Sequence, residues 1–126
     1  MDLFEEFVLG YCECILWAET DELDEPLDKN YNIDSFTMQA MASIRADCKK
    51  FMEEQAVFLE ASEETDYGRH GHSFWLNQND HGTGFWDQNY NRVAADGRTV
   101  GEVLSDACDG YRQVHVYVDE GKIHLE

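Results

Sequence analysis

The side chains best able to do chemistry in this sequence gather between residues 70 and 87. His70 and His72 stand two apart, and Ser73, Asp80, His81 and Asp87 follow. On a strand the two histidines point the same way. A hairpin tip would bring His81 towards them, giving a donor set of the kind tetrahedral zinc accepts. The chain has no H-E-x-x-H or C-x-x-C spacing. Histidines among glycines therefore read as polar loop groups, and no metal ligand is assigned. Asp80, His81 and Ser73 could supply acid–base or nucleophilic chemistry, but there is no G-x-S-x-G elbow, and sequence neighbours rarely form a working dyad. Gly82-Thr83-Gly84 is not followed by the G-K-[ST] of a phosphate loop. No catalytic residue and no cofactor are expected. A small hydrolase or metal-binding protein centred on 70–87 stands as the alternative to the reading that follows.

Charge is the outlying property of the chain. Among 126 residues there are 27 acids against 9 bases, a formal net charge of −18. Such a surface repels nucleic acid and anionic membranes and attracts basic proteins. Acidic solubility alone is the plain explanation. The distribution argues for more: residues 1–66 hold 18 acids and 4 bases, residues 67–126 hold 9 and 5. The expected partner-binding residues are Glu5, Glu6 and Glu13, then Glu19, Asp21, Glu22, Asp24, Glu25 and Asp28, and finally Glu53 and Glu54. A 25-residue helix rises about 35–40 Å at 1.5 Å per residue. Acids along a pair of such helices approach the density of duplex DNA, about one charge per 1.7 Å. That array can compete for a groove lined with Lys and Arg. Phe74, Trp75, Phe85 and Trp86 resemble a base-stacking platform, but the lack of nearby cations favours core packing, with an exposed Trp hot spot second.

The elements that must carry these residues follow from periodicity. Residues 3–17 show a helical apolar stripe of Leu3, Phe4, Phe7, Val8, Tyr11, Cys12, Ile15 and Leu16. Residues 18–33, with Pro26, read as an exposed loop. Thr37 caps a long helix over 37–61, whose seam of Met41, Ile44, Cys48, Phe51, Gln55 and Phe58 predicts an αα-hairpin with the first helix. Ser73–Leu76 and Thr83–Trp86 flank an Asn/Asp/Gly tip and predict a β-hairpin. Thr99-Val100-Gly101-Glu102 is a capping box opening a helix over about 99–111. The chain closes on a hairpin turning at Glu120-Gly121, with Val118 facing Ile123 and Val116 facing Leu125. The expected fold is one α+β domain over 1–126 in the order α-α-β-β-α-β-β, helices on a four-stranded antiparallel sheet. Cys12, Cys14, Cys48 and Cys108 have no framework spacing and suit a reducing compartment. The start of the chain lacks a basic signal-peptide region, and no apolar run reaches membrane-spanning length.

The run from His70 to Asp87, with Glu25-Pro26-Leu27-Asp28 and Val116 to Ile123, resembles small acidic proteins encoded by tailed phages and prophages. That family has no settled function, so the resemblance carries over no site residue. It implies a phage or mobile-element setting in a bacterial cytoplasm. The expectation is an inhibitor of a host defence nucleoprotein or nuclease, of anti-CRISPR or anti-restriction type. It would be a monomer or homodimer that occupies a basic nucleic-acid-binding site without binding nucleic acid itself. A non-inhibitory protein-binding module is the remaining alternative.

Overall fold

The computed structural model describes residues 2–79, 84–85, 88–94 and 97–126. The chain runs α1 (Leu3–Ala18), α2 (Leu27–Asn30), a 3-10 turn (Ile33–Ser35), α3 (Met38–Glu54), α4 (Ala56–Ala61), α5 (Tyr67–Gln78), a second 3-10 turn (Gln88–Tyr90), α6 (Val100–Cys108), β1 (Val116–Asp119) and β2 (Lys122–Leu125). Among the described residues the only sheet has two strands. The expected four-stranded sheet and its element order are therefore wrong. The fold is a helical assembly with one small terminal hairpin.

The error lies at residues 73–76, which belong to α5 rather than to a strand. Asp66 caps that helix, its carboxylate accepting the Gly68 N–H at 2.9 Å. Phe74, Trp75 and Leu76 are all buried. Consecutive buried residues on this part of the helix make a short apolar run, which cannot be told from a strand by period. Of the second proposed strand, Gly84 and Phe85 lie in a bend and turn. Thr83 and Trp86 lie outside the described residues, as does the proposed tip at Asp80–Gly82.

α5 is buried because it crosses α1 with backbone against backbone. A Cβ on Gly10 would stand 1.9 Å from the Gly68 carbonyl oxygen, and one on Gly71 would stand 2.0 Å from that of Phe7. Only hydrogen fits at both places. The rings beside the crossing interlock: Phe74 lies 5.9 Å from Phe7, 5.6 Å from Tyr11 and 4.3 Å from Phe51. Phe51 brings in α3, which Arg45 also ties to α1 through a two-pronged pair with Glu5 at 2.6 and 3.1 Å. α1 thus packs on α5 and α2 as well as on α3, and the expected αα-hairpin is only part of its environment.

The long 37–61 helix is also corrected. Thr37 caps it as read, accepting the Ala40 N–H at 3.0 Å. The helix then breaks at Gln55 (φ −111°, ψ 17°), the residue that interrupts the apolar seam, and α4 begins after it at Ala56. The 18–33 segment holds α2, whose Leu27 is fully buried. Other readings stand. Thr99 and Glu102 form the capping box of α6. In the hairpin Val118 faces Ile123 and Val116 faces Leu125. Glu120 and Gly121 both have positive φ, as a two-residue turn matched to strand twist requires. Thr37 donates its N–H to Ile123, tying the hairpin to the start of α3.

Three polar residues that read as a turn are instead a staple at the end of α5. Asn77 accepts the Ser105 hydroxyl at 3.1 Å, Gln78 accepts the buried Tyr11 hydroxyl at 2.8 Å, and Asn79 accepts the Val114 N–H at 2.7 Å. Each reaches a different element, so this helix terminus orients α6, α1 and the approach to β1.

Gly71→Ala is expected to lower stability by about 3 kcal/mol, because backbone lies on both sides and overpacking there has no side chain to displace. In thermal denaturation this is a fall of roughly 10 °C for a domain of this size. Gly110→Ala, whose new methyl would meet only an ordinary contact at 3.6 Å, should melt near the parent temperature. Equal melting of the two variants would contradict the close crossing.

Candidate docking surface

The acids singled out by sequence do not form one uniform face. On α1, Glu6 and Glu13 are seven residues, about two turns, apart and share one side. Both line a groove of about 520 Å³ where α1 meets α5, together with Asp66, Arg69, His72 and Ser73. Glu5 turns the other way, towards α3. The Arg45 guanidinium hydrogen-bonded to it holds its carboxyl below the ordinary value.

The acids of 19–28 sit on a closed loop rather than a loose one. The Asp21 N–H donates to the Glu25 carbonyl, and the Asp21 carboxylate accepts the N–H groups of Leu23 (2.8 Å) and Glu25 (3.1 Å). Asp24 adopts φ +62°, a left-handed conformation that Asp tolerates better than most residues. Glu25 bonds Lys29 and Asn30. Glu19 is half-buried at the end of α1, and its carbonyl accepts the Leu27 N–H. Glu22, Asp24 and Asp28 are exposed and form no ion pair among the described residues. They are the free anions of this loop, whereas Asp21 and Glu25 also hold its shape.

Glu53 and Glu54 are exposed at the end of α3. Burial raises the Tyr111 hydroxyl's pKa and nearby Glu54 raises it further, and Lys50 stands 5.3 Å over the Tyr111 ring. This acidic pair therefore has a cation beside it. Among the described residues there is no continuous 25-residue charged helix: α3 has 17 residues and is about 25 Å long by its rise.

The residues weighed for chemistry are dispersed. His70 is fully buried, its Nδ1 2.8 Å from the Tyr90 hydroxyl, where it fixes α5 to the second 3-10 turn. His72, two residues on, points to a different side of the helix and packs 5.6 Å from the exposed ring of Trp17. Asp80, His81 and Asp87 lie outside the described residues. Among the described residues no three His, Cys, Asp or Glu side chains are grouped to hold a metal ion. The cysteines are free and buried. Burial pushes Cys12, Cys14 and Cys108 up to about 12, which leaves them as protonated apolar filler at neutral pH. Among the described residues no helix is long and apolar enough to cross a membrane.

Sequence reasoning missed Glu64. It is nearly buried, yet it accepts hydrogen bonds from Asn89 (3.1 Å) and the Asp66 N–H (3.2 Å) and pairs with Arg69 at 3.0 Å. Its satisfied carboxylate is structural, and it keeps Arg69 occupied at the edge of the groove. The groove itself also escaped notice, because its walls come from distant segments.

Burial lowers the pKa of His72, the positive charge of Arg69 acts in the same direction, and Glu13 opposes both. The ring should titrate below the ordinary value of about 6.5 when followed by NMR of its Cε1 proton. Glu13→Gln should lower the midpoint further. Because the unfolded ring takes up its proton first, the contribution of neutral His72 to stability is complete above about pH 6.5. It is lost as pH falls through the folded midpoint. A midpoint above 6.5, or one raised by Glu13→Gln, would contradict this environment. Comparison of the chain with protein-family models, curated proteins and solved structures finds no match.

Proposed function

We propose that the protein is an inhibitor that occupies the basic nucleic-acid-binding site of a host defence protein, presenting carboxylates where that site expects phosphates. The setting we infer is the cytoplasm of a bacterium carrying a phage or related element. The partner is a nucleoprotein or nuclease of a CRISPR or restriction system, and the inhibitor itself binds no nucleic acid.

One observation supports this reading: among the described residues just over half of the cations pair with the chain's own acids, while several outer acids do not pair. Lys29, Arg45, Arg69, Arg92 and Arg98, five of the nine Lys and Arg residues, pair with Glu25, Glu5, Glu64, Glu63 and Asp106. Glu13, Glu22, Asp24 and Asp28 meanwhile face solvent. An exposed pair contributes little to stability, but it removes a positive charge from the outer field. What remains outward is an anionic surface on α1 and the 19–28 loop, able to displace the counterions of a basic groove as nucleic acid does.

The test uses substitutions that spare the loop's internal bonds: Glu22→Lys, Asp24→Asn and Asp28→Lys together. Against a partner captured at about 50 mM salt, this variant should bind about tenfold more weakly or worse, since rim charges govern encounter and screening. Binding by the parent should fall steeply towards about 200 mM salt, and duplex DNA should compete. The protein should leave DNA mobility on a gel unchanged. Undiminished binding by the triple variant, or a partner indifferent to duplex, would remove this reading.

A further inference from the structure

We propose that the groove between α1 and α5 is a receptor for an arginine side chain of the basic partner, with the exposed Trp17 ring, packed on His72, as its stacking face. This rests on the reading that the partner is basic, and it adds a defined contact to what would otherwise be diffuse attraction.

The groove follows from the glycine crossing. Where Gly10 meets Gly68 the helices have no side chains between them, so the floor is backbone and the walls stand above it. Glu6 and Glu13 rise from α1, and Asp66 from the cap of α5. Arg69 also lines the groove but is held by Glu64 at 3.0 Å. The local charge is therefore negative. Ser73 is about nine-tenths buried in the groove wall, and its hydroxyl makes no hydrogen bond among the described residues. Lining the groove, that hydroxyl is free to accept from an incoming N–H donor.

The spacing selects the occupant. Glu6 and Glu13 are about 10 Å apart along the helix axis, too far to share one metal ion, whose oxygen ligands stand at about 2.0–2.6 Å. An elongated cation with several donors spans them. Trp17 is 62% exposed and its ring lies 5.6 Å from the His72 ring. A flat aromatic surface beside carboxylates favours guanidinium over ammonium, because guanidinium stacks on rings while donating in its plane. A volume near 520 Å³ admits the side chain together with the backbone that bears it.

The experiment titrates capped hexa-arginine and hexa-lysine peptides into the isotope-labelled protein at about 0.1 M salt, where long-range attraction is screened. Hexa-arginine should bind about fivefold more tightly or better, shifting the amides of Gly10, Gly68 and His72 and the Trp17 indole. Glu13→Gln with Trp17→Ala, both exposed positions, should keep the parent circular dichroism, lose about tenfold in hexa-arginine affinity and abolish the preference. Glu22→Lys, Asp24→Asn and Asp28→Lys should weaken both peptides alike. Equal affinities, shifts confined to residues 19–28, or no binding of either peptide would each overturn the arginine receptor. The duplex-competition result with the captured partner is independent of all three, so the wider reading can survive the loss of this one.

Discussion

Everything in this molecule is arranged around one steric fact: α1 and α5 touch through their backbones. Gly10 and Gly71 let the carbonyl oxygens of Gly68 and Phe7 occupy the space where methyl groups would otherwise be. The close approach places Phe7, Tyr11 and Phe74 within one aromatic cluster that α3 completes through Phe51. It also leaves a trough above the glycines, so the same absence of side chains builds the core on one side and a groove on the other. A helix pair held apart by larger residues would have neither feature.

The small size of the sheet follows from the same helix. Because α5 takes the aromatic run into the interior, no second hairpin is needed to bury it. The terminal hairpin has only to cover the start of α3, which it does through Ile123. Polar residues at the end of α5 then set distances that apolar packing leaves loose. A hydrogen bond from the Tyr11 hydroxyl to Gln78 at 2.8 Å tolerates little sliding of α1 against α5.

Legibility in the sequence tracked how local the governing interaction is. The capping box at Thr99 and Glu102, the Thr37 cap and the register of Val116–Val118 against Ile123–Leu125 are set by residues close in the chain, and all could be read. Residues 73–76 could not, since whether Trp75 is strand or buried helix depends on what surrounds it. Gly71, between His70 and His72, read as a loop glycine because a glycine used for close packing looks like a glycine used for a turn. Asn77 to Asn79 misled in the same way. For the acidic surface, exposure was legible but commitment was not. Nothing near Glu5 shows that Arg45 claims it, and nothing near Asp21 shows that it folds its own loop. The groove joins walls from opposite halves of the chain and has no local signature.

The internal pairing of the cations has a thermodynamic consequence. Carboxylates left without counter-charges repel one another, and folding confines them within a screening length of about 8–10 Å. The free molecule therefore carries an electrostatic penalty that an extended chain avoids. Added salt relieves that penalty while weakening attraction to any polycation, so folding and association have opposite ionic-strength slopes. A polycation that docks supplies the missing charges at fixed positions and relieves the repulsion without salt. The complex is then the less strained form of the chain, and part of the affinity is drawn from repulsion stored in the unbound fold.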